Sequence, residues 1–180
     1  MGQVNSVLGP LSGADLGFTL MHEHVMVCAS GLIDSYPDLL GPNREERAIS
    51  TLKRAKAEGI DTIVDATTFD LGRKAQLLHT VAEGSGVNII NVTGWWLDVP
   101  RFLHGVGPNQ MAQEFIKDLT EGFRGTNIKA GMLKCAADFE GVTPPLETMA
   151  RAVARAHGSA RHARRRPLGL VRLRWLPGRG

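Results

Sequence analysis

Cysteine is scarce in this 180-residue chain: Cys28 and Cys135 stand alone, 107 positions apart in the sequence. Two thiols make no disulfide framework and point to a reducing cytoplasm. No apolar run approaches the roughly 18 residues of a membrane span, so no membrane partner is expected. The first fifteen residues lack a basic stretch leading into an apolar one, so no secretory signal is read. Acidic residues are missing from the far end, where none follows Glu147. What remains is ordinary: 43% hydrophobic and 22% charged residues, the composition of a globular domain rather than a disordered, collagenous or coiled-coil chain.

The net charge of +3 hides a division. Residues 1–150 hold 12 Lys+Arg and all 18 Asp+Glu, a net of −6, whereas residues 151–180 hold nine arginines and no acid, a net of +9. A mildly acidic body is joined to a very basic tail.

The body alternates strand and helix patterns. A β-rich apolar run spans Gly17 to Val27. Asn43, with Glu46 three residues on, has the spacing of a capping box, and Ile49, Leu52 and Ala55 continue a helical stripe to Gly59. Ile60–Phe69 reads as a second strand, and Leu77, Leu78, Val81 and Ala82 mark a second helix. Val87–Gly94 is a third strand, followed by a helix with Pro108 near its start and Met111, Phe115 and Leu119 on its stripe. Ile128–Ala137 is a fourth strand, and Thr143-Pro144 opens a fourth helix. Four βα units in succession predict an α/β fold with a parallel sheet.

The pattern breaks after His157, giving two regions, 1–157 and 158–180. The tail carries seven arginines and neither clean period. Three readings stand beside each other: a polyanion-binding arm without sequence specificity for nucleic acid, an irregular, disordered terminus, and a shifted reading frame. Arg161–Leu168, back-translated into GC-rich codons and shifted by one base, reads Gly-Thr-Pro-Val-Gly-Val-His-Ser. That is a helix stop and a short strand ending in histidine, the element a βα series calls for next.

Candidate chemistry collects at the strand ends. His22 and His24 are two apart in the first strand, so both imidazoles point to one face and could grip a divalent ion such as zinc. Lys134 sits in an apolar stretch near the end of the fourth strand, where burial would favour its neutral amine. A neutral amine can take up carbon dioxide and become a carbamate, an anionic metal ligand. Snorkelling to the rim is the alternative for that lysine. Trp95 and Trp96 end the third strand, where aromatics can wall a substrate pocket; the alternative is that one of them packs against a helix. Cys135 and Cys28 are read as core, His79 as surface, and Asp65 and Asp70 as site supports or loop caps.

Four segments taken together, Thr19–His24, Thr62–Phe69 with Leu71-Gly72-Arg73, Val92–Trp96 and Lys129–Ala137, resemble the phosphotriesterase family of the amidohydrolase superfamily. They follow the family's order across residues 3 to about 157. The resemblance implies a (β/α)₈ TIM-type barrel with its site at the C-terminal strand ends. It implies that His22 and His24 bind the more buried of two divalent metal ions, zinc foremost. Carbamylated Lys134 would bridge both ions and serve as the catalytic residue. Trp96 would wall the substrate pocket. A metal-bridging hydroxide would cleave a small-molecule phosphotriester, lactone or other ester, and Lys134–Asp138 leans toward the lactonases.

The family's two further histidines and its eighth-strand aspartate have no counterpart here. A full barrel takes about 250 residues, so the sequence supplies four βα units, the N-terminal half of a truncated barrel. The chain alone is then expected to be inactive, a fragment without function of its own. Its exposed strand edges are expected to drive it into a homodimer or larger aggregate.

Overall fold

The computed structural model describes residues 2–164 and 169–172, with side chains described through residue 159. A hairpin comes first: β1 (Gln3–Ser6) pairs antiparallel with β2 (Gly9–Ser12). The sequence reading has no such element, because four-residue strands are too short to display a period. The hairpin closes the sheet's N-terminal end. Val7 N–H donates to Ile89 O at 2.8 Å, and Asn5 Nδ2 donates to Ala130 O at 2.9 Å.

The βα series follows as β3 (Thr19–Glu23), a single turn α1 (Leu32–Ser35), α2 (Arg44–Ala57), β4 (Thr62–Asp65), α3 (Ala75–Ser85), β5 (Asn88–Gly94), α4 (Pro108–Thr120), β6 (Met132–Cys135), α5 (Pro144–Arg164) and β7 (Gly169–Arg172). The last five strands form one parallel sheet in sequence order, β3-β4-β5-β6-β7. Curled with its helices outside, it is half of a TIM-type barrel, as the four βα units predict.

Period-two alternation divides the core. Ile63, Ile89 and Leu133 point outward and pack with Val81, Leu119 and Met149 of the helices. Val64, Ile90, Val92 and Met132 point inward and meet Val4 and Leu16 near the hairpin. Because both faces are covered, the strands read as continuous apolar runs rather than alternating ones.

Three local readings change. Asn43 makes no side-chain cap; it lies in the left-handed region at φ 54°, a conformation its short amide side chain tolerates. Helix α5 does not stop at His157 but runs to Arg164, since alanine and arginine are strong helix formers whatever their charge. The fourth predicted strand is also not an open edge, because β7 pairs with it in parallel, Met132 opposite Gly169 through Cys135 opposite Arg172. The rest of the tail expectation, at 165–168 and 173–180, lies outside the described residues. Among the described residues no helix is long and apolar enough to cross a membrane.

Candidate functional site

The C-terminal ends of β3, β4 and β6 bring the predicted residues together. Strand β3 does so through an irregularity. Leu20 pairs with Ile63, but Glu23 pairs with Asp65, so three steps on β3 match two on β4. Such a bulge re-aims the side chains beyond it. Leu20 packs into the helix-side core, while His22 and His24 turn to the side where Lys134 acts on both. Their rings lie 5.3 Å apart between centroids, inclined at 62°.

Lys134 shares its face with Met132, two residues before it, and is 2% exposed. Its Nζ donates to Ala66 O across the sheet at 2.7 Å. Burial lowers its pKa, opposed by the negative charges of Asp70 and Asp65. Both histidines also titrate below the usual imidazole value, first from partial burial and then from the Lys134 cation. Neutral imidazole is the ligating form.

Gly94 makes room for this arrangement. It has φ +118°, and a Cβ there would overlap the Lys134 backbone carbonyl. Cys135 turns to the outer core, as alternation requires.

Asp65 and Asp70 both reach the site. Asp65 is fully buried; Oδ1 accepts Thr67 N–H at 2.8 Å and Oδ2 accepts Val25 N–H at 3.1 Å. Burial raises its pKa, countered by Thr67, Val25 and Lys134. Asp70 accepts the Thr68 hydroxyl on Oδ1 at 2.5 Å, and its buried Oδ2 has no well-formed hydrogen bond among the described residues. Burial raises this carboxyl too.

Thr67 is the participant that sequence reasoning missed. Its hydroxyl lies 2.9 Å from His24 Nδ1, a contact across 43 residues that no local pattern announces.

The two tryptophans have different surroundings. Trp95 is buried in the core and donates Nε1–H to Asp98 O at 2.9 Å. Trp96 lines a cavity of about 540 Å³ with Asp98, His104, Asp138 and Phe139, and none of His22, His24 and Lys134 lines it. The structure therefore brings His22, His24 and Lys134 together and sets Trp96 at a neighbouring pocket. Another cavity, of about 470 Å³, lies between β3 and α2 and reaches His24 from the outer side.

Two neutral imidazoles on one face and a buried lysine beside them fit the chemistry of a divalent ion held by the histidine pair. Among the described residues no three His, Cys, Asp or Glu side chains cluster closely enough to hold an ion by themselves.

A curled parallel sheet bearing its polar constellation at the C-terminal strand ends defines the TIM-barrel class of proteins. Within that class, the chain belongs to the phosphotriesterase family, which it matches over residues 2–166. It is 42% identical over 168 residues to a phosphotriesterase homology protein of Mycobacterium tuberculosis, covering 87% of this chain and 52% of the relative. It is 37% identical over 150 residues to an aryldialkylphosphatase of Saccharolobus solfataricus, covering 82% and 48%. The solved structure of the phosphotriesterase from Mycobacterium tuberculosis superposes with a TM-score of 0.80 at 42% identity, over 86% of this chain and 51% of that one. The chain spans about half the length of the curated relatives it matches.

Proposed function

We propose that the chain carries the N-terminal share of a metal-dependent hydrolase site that cleaves a phosphotriester, lactone or other small-molecule ester. The observation that carries this reading is the convergence of His22, His24 and Lys134 at the C-terminal ends of parallel strands. His22 and His24 hold one ion through their imidazoles. Lys134 in its neutral form adds carbon dioxide at Nζ and releases a proton, placing a carbamate where the ammonium now meets Ala66 O. A bound divalent ion, zinc foremost and two in the complete site, supplies Lewis acidity and a water acidified toward neutral pH. Trp96 would wall a part of the substrate lying in the neighbouring pocket, which His22, His24 and Lys134 do not line.

Two histidines and one lysine leave an ion short of the three protein ligands and open position of a catalytic site until Lys134 is carbamylated. The chain by itself is therefore expected to bind zinc weakly and to turn over neither phosphotriesters nor lactones measurably. Zinc titration by calorimetry, with bicarbonate present and absent, tests this. The expected result is a site that tightens with bicarbonate and disappears in His22→Asn and in His24→Asn. Zinc uptake unchanged in both variants would overturn the reading.

A further inference from the structure

Helix α2 contains no fully buried residue, whereas α3 and α4 each bury a stripe. Ile49 of α2 presses on α3 at Gly84, where a Cβ would overlap its side chain. Held to that side, α2 stands off β3. Ala48, Leu52 and Ala55 line the resulting cavity of about 470 Å³ together with Leu20, Val25 and Ile63. Aliphatic walls around such a volume, with a few placed polar groups, are the make-up of a small-molecule site.

The charge in this cavity sets the class of ligand. Arg44 and Arg47 both line it, one turn apart on the same face of α2. Arg44 Nη1 donates to Pro37 O at 2.7 Å and Gly41 O at 3.0 Å, and Arg47 Nη2 donates to Leu40 O at 3.3 Å. Carbonyls occupy some of the guanidinium protons but leave both charges unmatched, since neither arginine pairs with a carboxylate among the described residues. Glu23 lines the same cavity and pairs with neither, so two positive charges stand against one negative. From Arg44 the lined face continues to Ala55, eleven residues on, about 16 Å of helix. We infer that the cavity binds a single-chain alkyl carboxylate, its head held by Arg44 and Arg47 and its tail laid along Ala48, Leu52 and Ala55. A planar guanidinium matches a carboxylate edge to edge. This site shares His24 with the proposed hydrolase site but neither His22 nor Lys134, and its test involves neither metal nor turnover.

Calorimetric titration of the full, metal-free chain with octanoate, decanoate and dodecanoate, each below its micelle-forming concentration, tests this. The expected result is one molecule bound per chain, with affinity rising about fourfold for each methylene added. Decanol, with the tail of decanoate and no charge, should bind about tenfold more weakly than decanoate. Arg47→Gln, on the exposed side of the helix, should erase that advantage of the acid over the alcohol. Ala55→Phe, its fold checked by circular dichroism, should fill the cavity and abolish uptake of both. No uptake of any acid, equal affinity for decanoate and decanol, or uptake unchanged in both folded variants would overturn the inference. A chain that ignores the acids, yet whose self-association on size-exclusion chromatography is lost in Ala55→Phe, would overturn it too and assign the cavity to a second copy of the chain.

Discussion

Arg73 lies in the family-like Leu71-Gly72-Arg73 segment but serves the scaffold. Its Nη1 donates to Val92 O at 3.1 Å, its Nη2 reaches Asp118 Oδ2 at 3.4 Å, and the guanidinium sits 3.9 Å over the Phe123 ring. Asp118 also accepts the Thr93 hydroxyl at 2.5 Å. The two charged side chains are only 12% and 19% exposed. Arg73→Met leaves Asp118 almost dry with one hydrogen bond. Stranding one partner of a buried pair costs about 3–5 kcal/mol, and the residual exposure argues for the low end. The lost cation–π contact adds about 0.5–1 kcal/mol. The expected loss is about 3.5 kcal/mol at pH 7, or roughly 10 °C in Tm for a chain of this size.

Burial raises the folded-state pKa of Asp118, and Arg73 is the strongest influence holding it down. A raised carboxyl contributes its full stability below the unfolded value of about 3.9 and loses it as pH rises through the folded value. Without Arg73 the folded value climbs further, so the variant suffers most at neutral pH and the gap to the parent narrows toward pH 4. Urea denaturation at pH 7 and pH 4.5 measures both effects. A loss under about 1 kcal/mol at pH 7, or a gap that ignores pH, would refute the reasoning.

Gly94→Ala should cost about 3 kcal/mol or more by urea denaturation, because its Cβ meets the Lys134 carbonyl and its φ is strained; a loss below about 1 kcal/mol would count against the close approach of β5 and β6. Strand β3 has no partner on its outer edge among the described residues, and Phe18 and Met21 are 65% and 51% exposed there. Size-exclusion chromatography over a range of concentrations should show self-association, weakened about tenfold by Met21→Lys. Elution as a monomer at every concentration would sink that expectation.

The βα series was legible because each strand is a compact apolar run closed by a helix signal, and tertiary packing agrees with that local preference. The histidine pair was legible from its spacing of two. Its face was not, because simple alternation puts Leu20, His22 and His24 on one side, and only the mismatch of pairing against β4 separates them. Asp65 and Asp70 could be named but not assigned, since their roles depend on Val25, Thr67 and Lys134, which folding alone brings near. The basic tail was read as a conformational break. A change in charge is not a change in helix propensity, and α5 continues across it.

The bulge in β3 also bears on how this strand can vary in length. A strand that gains or loses one residue ordinarily turns its pattern inside out. Between Leu20 and Glu23 the count already stands at three steps against two on β4. Removing Met21 would bring the ladder to two against two, with Leu20 still outward, His22 inward and Glu23 opposite Asp65. Removing a residue from the matching stretch of β4 would widen the mismatch instead. At this edge, then, β3 holds a spare position, and a shortening that would ruin its neighbour leaves the histidines facing Lys134.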